Sequence, residues 1–199
     1  MWKKIDLLTF PQLRFLKTDD KCYFARDYKA GAGFESGETN SLIMNFKKSP
    51  LADGKQYRDS AINKFAEEAS ILFDRNKTTE YFVSAIPSSR IKSDSLYDHR
   101  FEDFFNALRS LRPCVSLVGP VENVQTIPAS HFGGPRASEA IKANYRWIGF
   151  SGSTPERIII FDDVVTIGTH FRAYSDFLRD NKFQGEIIGV FWAIARSFP

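Results

Sequence analysis

Two adjacent carboxylates, Asp162 and Asp163, follow an apolar run in the stretch RIIIFDDVVTIGTHF (157–171), and a loop of hydroxyls and glycine comes directly after them. The run Ile158 to Phe161 reads as a strand buried on both faces, because β-branched side chains pack well on a pleat and no polar residue interrupts it. The acids then fall at its carboxyl end, where open parallel sheets bind their ligands. Two carboxylates are costly to bury together, so the pattern predicts that both face a cleft. There they would accept hydrogen bonds from hydroxyls or meet a hydrated divalent cation. In the next few residues Gly168 allows close backbone approach or a positive φ, and the helix expected after it offers unpaired N–H groups and the positive end of its dipole. Those features, with the hydroxyls of Thr166 and Thr169, suit a phosphate. His170 would add a cation if its pKa allows. Sugar hydroxyls beside a phosphate satisfy both halves of the pattern. The plainer reading of the loop is that Thr169 caps the helix and Gly168 makes the turn.

The elements that must position these residues are legible from residue 80 onward as strand, loop and helix in repetition. YFVSAI (81–86) reads as a strand ended by Pro87. SLYDHRFEDFFNALRSL (95–111) reads as a helix with Leu96, Phe101, Phe104, Phe105 and Leu108 inward. CVSLVG (114–119) is a second strand, a long connection follows, and ASEAIKANYRWI (137–148) is helical by period. The third strand is RIIIFD. A helix carrying Phe171, Tyr174, Phe177 and Leu178 leads to a fourth strand, EIIGVFWAIA (186–195). Strands alternating with helices predict an α/β fold with a parallel sheet and right-handed crossovers. Upstream, NSLIMNFKK can start a short helix, and Ala61, Ile62, Phe65, Ala66, Ala69, Leu72 and Phe73 mark an amphipathic one. Residues 19–39 have no steady period and read as short strands, turns or a flap. The expected organisation is a single domain over 1–199, with 1–50 as an N-terminal hood or flap and 80–199 as the core.

Composition narrows the partners. Lysine and arginine number 27 against 24 acids, a net +3 that is too small for a nucleic-acid footprint and allows only a modest preference for anions. Cys22 and Cys114 can build neither a disulfide framework nor a four-cysteine zinc site, and they read as free thiols in a reducing, cytoplasmic setting. The longest apolar run, IIGVFWAIA, is too short to cross a bilayer as a helix, and MWKKIDLLTFPQLRF does not read as a signal peptide. His99 and His131 have no carboxylate or cysteine at metal spacing.

IIIFDDVVTIGTH resembles the binding motif of the type I phosphoribosyltransferases: an apolar strand, two acids, and a threonine and glycine loop. YFVSAIPSSR and FWAIARSF resemble the pyrophosphate-loop strand and last strand of that family's ComF-like branch. The resemblance spans roughly residues 80–199. It implies a small-molecule ligand, phosphoribosyl pyrophosphate with Mg2+, a transferase reaction releasing pyrophosphate to a nitrogenous acceptor, and a parallel-sheet fold with a small hood. By the same resemblance Asp162 and Asp163 hold the ribose hydroxyls and Thr166, Ile167, Gly168, Thr169 and His170 line the 5-phosphate loop. Ser88, Ser89 and Arg90 take the pyrophosphate, the arginine through forked donors that suit phosphate oxygens. Residues 119–136 then read as a mobile hood with Arg136 at its basic tip, and Lys142 and Arg146 as cations one turn apart on the helix behind it. Ile167 and His170 stand where the family commonly has hydroxyl residues. The zinc ribbon and the arginine, glycine and phenylalanine signature of the ComF-like branch are absent. These departures favour an alternative in which the chain senses a phosphoribosyl or nucleotide ligand and signals without turnover. The acceptor is not legible, and a homodimer or a protein partner stays open.

Overall fold

A computed structural model describes residues 1–49, 51–74, 80–128 and 137–196. Its centre is a six-stranded sheet in the order β1-β2-β8-β7-β3-β4. The strands are β1 (Lys3–Lys4), β2 (Lys21–Lys29), β3 (Tyr81–Ala85), β4 (Val115–Leu117), β7 (Arg157–Val165) and β8 (Glu186–Arg196). All neighbours are parallel except β1, which pairs antiparallel with β2. The α/β class and parallel sheet expected from the sequence are present, with helices on both faces. Within the segment 19–39, read as short strands, turns or a flap, residues 21–29 form one nine-residue strand of this sheet. Their weak periodicity reflects a strand with Cys22 and Phe24 buried among partly exposed neighbours.

Chain direction decides which helix lies on which face. From β2 through α1 (Glu38–Phe46) and α2 (Lys55–Ser70) to β3, and from β3 through α3 (Arg100–Leu111) to β4, the chain moves towards one edge. From β7 through α5 (Thr169–Asp180) to β8 it moves towards the other. Right-handed crossovers running in opposite directions must use opposite faces. Accordingly, Ile43, Phe46, Phe65, Phe104 and Phe105 pack with Trp192 on one side, while Phe171, Tyr174 and Leu178 pack with Ile158 and Ile160 on the other. On the first side Trp192 stacks on Phe65 at 4.5 Å between ring centroids and takes the edge of Phe104 at 4.7 Å. On the second, a side chain at Gly189 would reach within 2.8 Å of the Phe171 ring, so glycine in β8 is what lets α5 sit this close.

Two sequence readings change. The 95–111 helix begins only at Arg100, and Leu96 is 53% exposed instead of inward. Asp94 and Asp98 accept the backbone N–H groups of Leu96 and Arg100, forming local turns that compete with helix. The 137–148 segment is helical only over α4 (Ser138–Lys142); Tyr145–Trp147 is a strand, β6, paired antiparallel with β5 (Val121–Asn123). The Asn144 side chain bonds both the N–H and the carbonyl of Gln125, which fixes that pairing against local period. The connection expected to be a hood therefore carries a small ribbon. Its tip, with His131 and Arg136, lies outside the described residues.

Candidate functional site

Strands β3 and β7 are neighbours whose following helices leave in opposite directions, which makes the gap between their carboxyl ends the topological switch point of the sheet, the usual place for a ligand crevice. The loops that meet there are 86–99 after β3 and 166–168 after β7. Ser88, Ser89 and Arg90, the acid pair Asp162 and Asp163, and residues 166–170 all lie on these loops, at the end of β7 or at the start of α5.

The acids sit back to back. Successive strand residues point to opposite faces, so Asp163 faces α1 and α3 while Asp162 faces the side of α5 and Tyr145. Asp163 is only 5% exposed. Its Oδ1 lies 2.9 Å from Lys47 Nζ and accepts the Val164 N–H, and its Oδ2 accepts from Arg100 Nη2 at 3.1 Å. Burial pushes its carboxyl up, but the Lys47 and Arg100 cations outweigh this and hold it below the usual range. Asp162 is half-buried and accepts the Asp163 N–H at 2.8 Å. Burial first, and the neighbouring Asp163 carboxylate second, push it up to about 7. The two acids thus differ: Asp163 is an ion-paired carboxylate, whereas Asp162 is poised to exchange a proton near neutrality.

Arg100 extends the network. Its Nη1 donates to Asp98 at 2.7 Å, Asp98 also accepts from Arg58 at 2.7 Å, and Arg58 reaches Asp103 at 3.2 Å. None of Lys47, Arg58, Asp98 or Arg100 was legible as a site residue, yet Arg58 carried a signal. It stands three and four residues before Ala61 and Ile62, on the apolar stripe of α2, and a charge on a buried stripe needs a partner.

Beyond β7, Gly168 adopts φ +86° and is the N-cap of α5, with no side chain capping the helix. Thr169 lies inside the first turn, so it does not take the capping role. Its Oγ1 is buried without a hydrogen-bond partner among the described residues. Thr166 is exposed and Ile167 half-buried. Burial above all lowers the His170 pKa, against the Asp163 carboxylate that raises it, which disfavours the cationic form of the ring. The loop is buttressed by the N-terminal segment: the Phe15 N–H bonds the Ile167 carbonyl at 3.1 Å, Arg172 Nε bonds the Phe15 carbonyl at 3.0 Å, and Leu16 lies against Gly168.

After β3, Ser88 Oγ bonds the Arg90 backbone at 3.0 Å, and Arg90 Nη1 pairs with Asp94 at 3.0 Å. The loop is tied to the ribbon by Ile127 N–H on the Ser89 carbonyl, by Thr126 Oγ1 on Asp94, and by the Asn123 amide on the Ser88 carbonyl. Between loop, α3 and ribbon lies a cleft of about 510 Å³ with Ser84, Ser88, Arg90, Arg100 and Arg146 in its wall, within the usual range for small-molecule sites. Arg146 lies on β6 and pairs with Glu122, whereas Lys142 is turned to Glu139 and Asp180, so the two do not face one site as a helix would have placed them. Among the described residues no group of three or more His, Cys, Asp or Glu is arranged to hold a metal, and no helix is long and apolar enough to cross a membrane.

No protein-family model and no curated protein matches the chain. Two crystal forms of a hypoxanthine phosphoribosyltransferase from Staphylococcus aureus are similar to it in structure. The tetragonal form is 14% identical with a TM-score of 0.41, covering 80% of this chain and 83% of that one. The orthorhombic form is 12% identical with a TM-score of 0.37, covering 77% and 70%.

Proposed function

We propose that the chain binds phosphoribosyl pyrophosphate at the carboxyl ends of β3 and β7 and transfers its phosphoribosyl group to a nitrogenous acceptor, as type I phosphoribosyltransferases of the ComF-like branch do. The observation that carries this reading is the coincidence of three features at the switch point: a carboxyl at Asp162 that has no ion-pair partner among the described residues, the N-terminus of α5 behind a positive-φ glycine, and at Thr169 Oγ1 a buried donor without a hydrogen-bond partner among those residues. Asp162 would accept from the ribose hydroxyls, with Asp163 holding Lys47 and Arg100 beside it. Thr166, Thr169 and the first N–H groups of α5 would take the 5-phosphate, which suits the dipole. Ser88, Ser89 and Arg90 would hold the pyrophosphate. As the anomeric C–O bond breaks and the bond to the acceptor nitrogen forms, Asp162 offsets positive charge on the sugar and Arg90 offsets negative charge on the leaving group. Magnesium would enter with the pyrophosphate and help neutralise the leaving group, since among the described residues no cluster of carboxylates is arranged to hold a metal.

A second reading, a ligand-sensing module without turnover, is favoured by the burial of Asp163 between two cations and by Ile167 in the phosphate loop. Calorimetry with phosphoribosyl pyrophosphate, with and without Mg2+, tests the shared step, using Asp162→Asn as the control. Binding that the variant loses supports the site, and binding it retains overturns it. Release of pyrophosphate with a panel of purines, pyrimidines and ammonia then separates enzyme from sensor.

A further inference from the structure

The cleft beside β3 and the acid pair on β7 are separate features, and Arg100 touches both. Its guanidinium lies 5.7 Å from the ring centres of Phe46 and of Phe101, which fix its plane from two helices. One arm holds Asp163 and the other holds Asp98, while Nε is buried without an acceptor among the described residues. The side chain keeps 21% of its surface exposed and forms part of the cleft wall with Ser88 and Arg90. Its five donors are therefore only partly used, and the group lies where an anion in the cleft would compete with Asp163 for it.

We propose that Arg100 is a positioning and anion-binding residue that couples the cleft to the acid pair: a phosphorylated anion in the cleft draws on the same guanidinium that orients Asp163. The coupling has a definite sign. Removing Asp163 relieves the competition and strengthens anion binding in the cleft, and removing Arg100 weakens it. A purely structural arginine would give neither the gain nor its dependence on Arg100. The site's chemistry is taken from the reading above, but the test needs no ribose, so the two can fail separately.

The experiment measures inorganic pyrophosphate binding to the full chain by calorimetry at fixed ionic strength, in wild type, Arg100→Gln, Asp163→Asn and the double variant. Circular dichroism confirms each fold. Arg100→Lys, which keeps charge but loses the fork, replaces Arg100→Gln if the latter does not fold. Loss of a charge-assisted hydrogen bond predicts about tenfold or greater weakening in Arg100→Gln. Asp163→Asn is expected to bind severalfold more tightly than wild type, and the double variant to bind no better than Arg100→Gln. Unchanged affinity in Arg100→Gln, or a gain from Asp163→Asn that persists without Arg100, overturns the proposal. Failure of phosphoribosyl pyrophosphate to bind while this pattern holds would overturn the transferase reading alone.

Discussion

Asp163→Asn should destabilise the protein by about 3 kcal/mol. The oxygens of Asp163 are 2.9 Å from Lys47 Nζ and 3.1 Å from Arg100 Nη2. At an effective dielectric of ~20, each contact is worth roughly 5 kcal/mol before desolvation. Lys47 is 42% exposed, so screening reduces its share to about 1 kcal/mol or less. Arg100 is the costly partner, because removing one member of a buried pair strands the other and typically costs about 3–5 kcal/mol. The amide oxygen of asparagine can keep the Val164 N–H bond, which favours the low end. Guanidinium chloride unfolding at pH 7 would show a lower midpoint at unchanged slope. A loss below about 0.5 kcal/mol would refute the argument that Asp163 anchors a buried cation. This instability is also why Asp162→Asn, and not the double substitution, is the clean control for ligand binding.

Asp162→Asn behaves oppositely. A carboxyl raised in the fold contributes stability that is complete below its ordinary value of 3.8, shrinks as pH rises and is gone above about 7. The variant should therefore gain on wild type by up to about 4 kcal/mol between pH 4 and pH 8, measured by unfolding at both; a constant difference would contradict the raised pKa. Gly168→Ala, at φ +86° with Leu16 atoms 2.9 Å from a new Cβ, should cost about 2 kcal/mol by thermal unfolding. Arg58→Ala should cost about 3 kcal/mol in the same assay, since Arg58 is 2% exposed and its loss removes a cation from Asp98 and Asp103.

The parallel core and the acid pair were legible because Ile158 to Phe161 form a continuous apolar run with charge at one end, and the period of α2, α3 and α5 is strong. What sequence reading missed was set by contacts between distant segments. Adjacent acids were expected to share a cleft, but a pleat sends neighbours to opposite faces, and of the two cations that claim Asp163 even the nearer in sequence, Arg100, stands 63 residues upstream. Lys47, at the end of a short helix, has no local pattern to distinguish it from Lys48. The β6 strand hides in a helix-like period because three residues are too few to show alternation, and its partner across the ribbon decides the matter. Arg58 was the one recoverable residue: a charge on an apolar stripe announces a buried pair even when its partners are unknown.

The buttress on the α5 loop sets an order of events during synthesis. Phe15 and Arg172 are 157 residues apart, and β2 runs parallel to β8, a strand made far later than itself. At roughly 5–20 residues per second, the early segment waits on the order of 10 s or more for the strand and loop it completes. Throughout that interval the edge of β2 that pairs with β8 stays open. Contacts this distant make folding slow. Nascent chains stalled before Glu186 would pair β2 within the sheet with β1 alone, leaving its other edge exposed to chaperones and to other chains.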